Sequence, residues 1–432
     1  MNKGYNLLAG AAEIDITPPV GTLLAGSLKP RVSIGIEEPL YVKAIVIESN
    51  GKRIAYVIFD LVALDRILAE KGIKMASEKT GIFAESIVWA ASHTHTGPYT
   101  GGLFFDESNI NNRWLETICE KMAQCIVEAD RRKTPVKFSK MRSFHYGLGH
   151  NRRIEFKNGR AINTWLLANA PEQIQSLGSS GPIDPEIGIF CFEKLDGTIL
   201  SVMFHFTLHT NTNFGLKFSA DYPGVVAARL RERFGPDVTT LFLPGACADI
   251  NTTGPRHREV GNELAVKIIE SIERRKVYDG KLELDAIKAE ITVPRRNFMI
   301  DQTERIKNSG WNLESQKVFY REIEALKKEG KTEDSTIIQA WRIANIGFVS
   351  FPGELFVEWG LKVKKESPFP FTYPVELGGD YLGYLVTQKA YQQGGYESLI
   401  ARSAKTSVEG VMLMFDKAME LLNTLYNKRG FQ

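Results

Sequence analysis

Residues 42–60 read VKAIVIESNGKRIAYVIFD, two runs rich in β-branched residues joined by an Asn50-Gly51 pair. Asn-Gly fits the left-handed backbone of a tight hairpin turn, so this segment is expected to form two antiparallel strands. Few other features restrict the fold as much, because a hairpin this apolar must bury at least one face. Two more hairpins follow from the same logic: residues 188–210, turning at Asp196-Gly197, and residues 335–356, turning near Asn345. Apolar runs at 86–92 (SIVWAAS) and 239–244 (TTLFLP) add buried strands. Helical periodicity predicts helices over 64–79, 112–131, 225–234, 259–276, 313–328 and 408–427. Hairpins interleaved with helices, without strict strand–helix alternation, imply a layered α/β fold with an α+β tendency: mixed β-sheets flanked by helices.

No Pro/Ser linker, repeat or low-complexity tract divides the 432 residues, which are read as a single domain, 1–432. A chain of this size can bury a large core without disulfides. Its 54 basic and 51 acidic residues leave a net charge of +3, and no basic block exceeds short pieces such as Glu273–Lys276. No nucleic-acid partner is therefore expected. No stretch reaches the ~18 apolar residues of a membrane span. The first 21 residues lack the apolar core of a secretory signal. The four cysteines have neither CxxC spacing nor the density of a disulfide framework. A cytoplasmic protein is expected. Oligomeric state is not encoded in any of these features.

Chemistry-bearing residues gather where apolar runs end. SHTHTGP places His93 and His95 after one run, LHTNTN places His209 after another, and FPGELF places Glu354 after a third. On a strand, residues i and i+2 share a face, so His93 and His95 are expected side by side, as are His205 and His209. Neutral imidazoles with one carboxylate suit zinc. Spacing alone leaves two readings open, metal ligands or hydrogen-bonded histidines at strand ends. LPGACADINTTG reads equally as a substrate-facing loop or as tight packing, and it lacks the GK[ST] of a phosphate-binding loop. Arg152 and Arg153 in HNRRIEF suit an anionic or polar group, or else a surface turn. No GxSxG occurs, which argues against a serine hydrolase of the α/β type. Tyr384, Tyr391 and Tyr396 in GYLVTQKAYQQGGYES read most simply as semi-buried amphipathic aromatics.

Taken in order, GAAEIDITPPVGTLLAG, GIEEPLYVKAIVIE, ASHTHTGP, FTLHTNT followed by SADYPG, FPGEL and GYLVTQKAYQQGGYE resemble the neutral/alkaline, non-lysosomal ceramidases. The resemblance runs through most of the chain. It implies a ceramidase-like catalytic domain, and a zinc hydrolase in which zinc-bound water attacks the amide of an N-acyl compound. It implies zinc ligands at His93, His209, Glu354 and Tyr384, the tyrosine at the edge of the coordination sphere. It also implies catalytic roles for His95 in moving protons, and for Arg152 and Tyr396 near the reacting carbonyl. Asp249 and Asn251 fall in the substrate-binding loop.

The chain departs from that family at two places. Asn251 stands where the family's GDVSPN loop has serine, so any role needing that hydroxyl is lost. The family's C-terminal β-sandwich domain has no counterpart in the sequence read. Both shift the expected substrate from long-chain ceramide toward a smaller or lipid-like amide. An esterase or lactonase using the same zinc is the nearest rival, and a non-catalytic binding protein with a degenerate site is the rival outside enzymes.

Overall fold

The structure, a computed structural model, describes residues 7–101, 104–105, 110–169 and 175–428. The start of the chain read for a leader, residues 1–6, and Gly102 in the loop after His95 lie outside the described residues.

Twelve strands make the two main sheets. They are β1 (Leu7–Asp15), β2 (Tyr41–Ser49), β3 (Lys52–Phe59), β4 (Ile87–Ala91), β5 (Thr134–Phe144), β6 (Glu186–Lys194), β7 (Ile199–Phe206), β8 (Thr239–Pro244), β9 (Leu284–Pro294), β10 (Glu333–Ile343), β11 (Ile346–Ser350) and β12 (Phe371–Val375). The larger sheet has the order β8-β7-β6-β5-β1-β2-β3-β4, and the smaller β9-β10-β11-β12. Three pairs are parallel, β3 with β4, β7 with β8 and β11 with β12. The others in these sheets are antiparallel. The three expected hairpins form. Asn50 and Gly51 both take positive φ (51° and 76°), as a two-residue turn between twisted strands requires.

Alternation along β2 and β3 decides the layering. Val42, Ala44, Val46, Val57 and Phe59 face helices α1 (Arg66–Thr80) and α2 (Asn112–Arg131). Ile45, Ile47, Tyr56 and Ile58 face the smaller sheet, where Trp341, Phe348 and Tyr373 meet them. The same side of the large sheet that carries α1 and α2 continues under α3 (Asp221–Phe234) and α4 (His257–Glu273). The outer face of the small sheet is covered by α6 (Val357–Glu366) and α7 (Val408–Asn427), while α5 (Leu313–Glu329) belongs to a satellite core beside the cavity described below. The order is helix, sheet, sheet, helix, an α/β sandwich that buries apolar faces of both main sheets.

Helix ends follow from capping. Asp65, Asn111, Asn312 and Ser407 accept backbone N–H bonds at their N-termini, and Gly81 and Gly330 close α1 and α5 in the left-handed conformation. Helix α3 begins at Asp221, four residues before the expected start. Pro223 lies in its first turn, where a missing N–H costs no intrahelical bond.

The large sheet curls until edge strand β8 reaches across β3: Tyr56 Oη donates to the Phe242 carbonyl at 2.8 Å. That curl brings the ends of β4 and β7 together. Thr210 Oγ1 donates to the Ser92 carbonyl at 2.7 Å, and His95 N donates to the Thr210 carbonyl at 3.2 Å. Among the described residues no helix is long and apolar enough to cross a membrane.

Candidate metal centre

Strand β4 stops at Ala91, so His93 and His95 are not strand residues and the shared-face expectation does not apply to them. His93 instead has φ of +68°, a left-handed conformation that costs a non-glycine residue energy and recurs at functional sites. The chain reverses there, and the two imidazoles still meet. His95 Nε2 lies 3.3 Å from His93 Nε2 and 3.1 Å from His209 Nε2. His209 also lies beyond its strand, which ends at Phe206. His205 remains on β7, fully buried, bonded to the Pro374 carbonyl at 2.9 Å and away from this cluster. Burial drives the His205 imidazole down to about 4.

The tautomers can be read from the partners. His93 Nδ1 faces the Val62 carbonyl at 2.8 Å, His95 Nδ1 the Gly26 carbonyl at 2.9 Å, and His209 Nδ1 the Cys247 carbonyl at 3.3 Å. A carbonyl only accepts, so each Nδ1 carries the proton and each Nε2 presents its lone pair. Three lone pairs therefore converge. Glu354 Oε2 adds a fourth donor atom 3.3 Å from His93 Nε2 and is buried without a hydrogen-bond partner. Its other oxygen accepts from Tyr381 Oη at 2.9 Å.

Charge tells the same story. Burial and the neighbouring His93 and Arg31 push His95 well below the ordinary histidine value. Burial, His93 and Arg152 do the same to His209. Burial also works against protonation of His93, but the adjacent Glu354 carboxylate outweighs it and leaves His93 raised. One proton on His93 would satisfy one neighbour and leave the remaining lone pairs opposed. Buried, carbonyl-anchored His93 and His209 with the orphaned Glu354 oxygen, and half-buried His95 beside them, fit a cation, and the donor types suit zinc.

Glycines shape the loops that carry these groups. Gly26 has φ of +73°, and a Cβ there would lie 2.3 Å from His95 Nδ1. Gly353, just before Glu354, passes so close to the Gly383 carbonyl that a Cβ would sit 2.3 Å from it. That close approach allows Glu354 to pair with Tyr384 in a short parallel bridge.

A cavity of about 730 Å³ opens over the cluster, lined by His93, His95, His209, Glu354, Arg152, Asn251, Tyr384 and Tyr396 among others. Eight of the nine residues to which the resemblance gives a role thus line this cavity, while His205, Arg153 and Tyr391 do not. Asp249 does not line it: Oδ1 accepts from Val357 N at 2.9 Å and Oδ2 from Asn151 Nδ2 at 2.6 Å. Burial raises its carboxyl to about 6. Asp249 braces the loop from behind, so the structure offers no direct contact for the substrate-binding role expected of it.

Arg152 is no surface turn. It is 1% exposed, and its guanidinium donates to Glu397 Oε1 (2.9 Å), Asn251 Oδ1 (3.2 Å) and Tyr384 Oη (3.1 Å). Arg153, equally buried, donates to the other Glu397 oxygen at 2.7 Å. Glu397, fully buried and also bonded to Asn163 Nδ2 at 2.6 Å, is one residue that sequence reading missed. It follows Tyr396 in GGYES, but nothing local distinguishes it from a surface glutamate. Tyr381 and Gly26 were missed for the same reason. Burial, then Glu354, pushes the Tyr384, Tyr381 and Tyr396 phenols above their ordinary value.

The architecture matches solved structures of ceramidases. One is the neutral ceramidase from Pseudomonas aeruginosa, with a TM-score of 0.75 over 99% of this chain and 75% of that one. Another, a ceramidase complexed with C2, gives 0.73 over 99% of this chain and 76% of that one. Sequence identity is 17% in both, so the likeness is one of fold. No family model matches the chain, and no curated protein matches it. The chain has a ceramidase-like α/β fold.

Proposed function

We propose that this chain is a zinc-dependent hydrolase that cleaves the carbon–nitrogen bond of a small N-acyl compound. The observation that carries the reading is the convergence of three imidazole Nε2 atoms, each fixed by a carbonyl on its other nitrogen, beside the orphaned Glu354 oxygen. Zinc held there would supply a Lewis acid for the acyl carbonyl and lower the pKa of a water toward about 7.

His93, His209 and Glu354, each 3% exposed or less, are assigned as ligands, with Tyr384 at the edge beside Glu354. His95 is half-buried and on the cavity side, which suits a group that carries a proton to the leaving amine. An amide nitrogen must be protonated to leave, so this transfer is essential for an amide and dispensable for most esters. Arg152 and Tyr396 present donors to the oxygen that gains charge as the carbonyl is attacked, and both are held rigidly before substrate arrives. Asn251, anchored by Arg152, positions substrate where the ceramidase sequences carry serine.

The test is metal analysis together with assays on matched N-acyl amides and esters. Purified protein should carry about one zinc, lose it in His93→Ala and Glu354→Ala, and lose amide hydrolysis with it. His95→Gln should keep the zinc and lose amide turnover far more than ester turnover. Full amide turnover by metal-free protein would sink the proposal.

A further inference from the structure

The cavity wall has an imbalance of charge that the hydrolysis of a neutral amide does not explain. Arg152 lines the cavity, and its carboxylate partner Glu397 is shared with Arg153, which lies behind the wall. Arg31 lines the same cavity. Its Nη2 donates to the carbonyls of Ala25 (2.5 Å) and His95 (2.6 Å), which fixes the guanidinium on the main chain of a cluster histidine. Its Nε is buried without an acceptor, and no carboxylate pairs with it among the described residues. Lys29 adds a further positive charge at the rim. Against these, Glu354 is the acidic residue lining the cavity among the described residues, and it points into the histidine cluster.

A guanidinium half-withdrawn from water with no counter-ion is costly unless a ligand supplies one. Other polar atoms in the wall are also unpaired among the described residues: His150 Nδ1, Asn211 Oδ1 and Trp311 Nε1 are buried without partners there. These polar groups are set in a wall that also carries Leu28, Phe104, Trp165 and Phe214, so they can fix the orientation of a substrate's polar end while apolar side chains cover the rest.

Resting on the amidase reading, we propose that the substrate is an anionic N-acyl compound and that Arg31 binds its carboxylate. The shared chemistry is a carboxylate close to the scissile amide. It can lie on the amine side, as in an N-acyl amino acid, or on the acyl side, as in the mono-amide of a dicarboxylic acid.

Zinc-loaded enzyme is assayed on both series, each carboxylate against its primary carboxamide. In one series the carboxylate should be favoured in kcat/KM by about tenfold or more, the scale of one charge-assisted hydrogen bond. Arg31→Gln should bring the pair within about twofold, mainly through KM, and Arg31→Lys should restore part of the preference. Comparing two substrates in one variant cancels any general damage from losing the bonds to Ala25 and His95. No preference in the parent enzyme, or a preference that survives Arg31→Gln, overturns the inference and leaves the amidase reading intact. If no amide is turned over, calorimetry with the same carboxylates decides. Binding that is lost in Arg31→Gln upholds the anion site while the amidase reading falls, and absence of binding overturns the site.

Discussion

Gly26 and Glu397 show how single residues hold the centre without touching its chemistry. In Gly26→Ala, the added Cβ would meet the His95 ring at 2.3 Å in a backbone conformation that alanine adopts only under strain. His95 must then move. Amide hydrolysis should fall by at least about tenfold while the far-ultraviolet circular dichroism of the fold is unchanged; a fully active variant would show that His95 tolerates displacement. Glu397→Gln leaves two buried guanidiniums without their carboxylate. Breaking a buried ion pair from one side costs about 3–5 kcal/mol, so the variant should lose that much in denaturant unfolding. A loss under about 1 kcal/mol would mean water or another group replaces the carboxylate.

At the scale of elements, stability rests on how strand ends are tied to helices. Arg295, just past β9, bonds to Glu329 at the end of α5 (2.7 Å) and to Asp334 at the start of β10 (2.6 Å). Hydrogen bonding to Arg295 holds the Glu329 carboxyl down at about 2, below its ordinary 4.5. A depressed carboxyl contributes stability that is present above about pH 4.5 and is lost as pH falls through about 2. Parent and Glu329→Gln proteins should therefore differ in melting temperature at pH 7 and converge as pH approaches 2. A constant difference across that window would assign the effect elsewhere. Ser407 caps α7 by accepting from Gly410 N at 3.0 Å. Ser407→Ala should cost about 1 kcal/mol, read by thermal unfolding.

For the whole molecule, the two sheets are joined by an aromatic layer in which Trp341 stacks on Phe348 (centroids 5.2 Å apart) and on Tyr56 (6.1 Å). The candidate centre draws its donor groups from both sheets, with His93 and His209 after strands of the large one and Glu354 after β11. Trp341→Ala should cost about 3–5 kcal/mol and loosen the metal site with the core, so unfolding should remain one transition and zinc should be released within it. Zinc at 100 times its dissociation constant should raise stability by about 2.7 kcal/mol, reversed by chelator. Two separate transitions would contradict the single unit read from the sequence.

Hairpins, helices and the candidate ligands were legible in the chain because each depends on neighbours in sequence. Asn50-Gly51 can turn tightly whatever lies around it, and apolar periodicity over 112–131 and 408–427 matches the observed helices residue for residue. His93, His209 and Glu354 stood out because histidines and a carboxylate ended apolar runs. What the tertiary structure alone decided is which of these groups meet. The curl of the large sheet joins the ends of β4 and β7, the left-handed turn at His93 replaces the strand geometry expected there, and His205 is left in the core. Glu397 lies some 245 positions from Arg152 in the chain, Asp249 turns behind the wall, and Arg31 faces the cavity without a counter-ion among the described residues. Pairing of buried charges depends on distance in space and on exclusion of water, and neither quantity is written in local sequence.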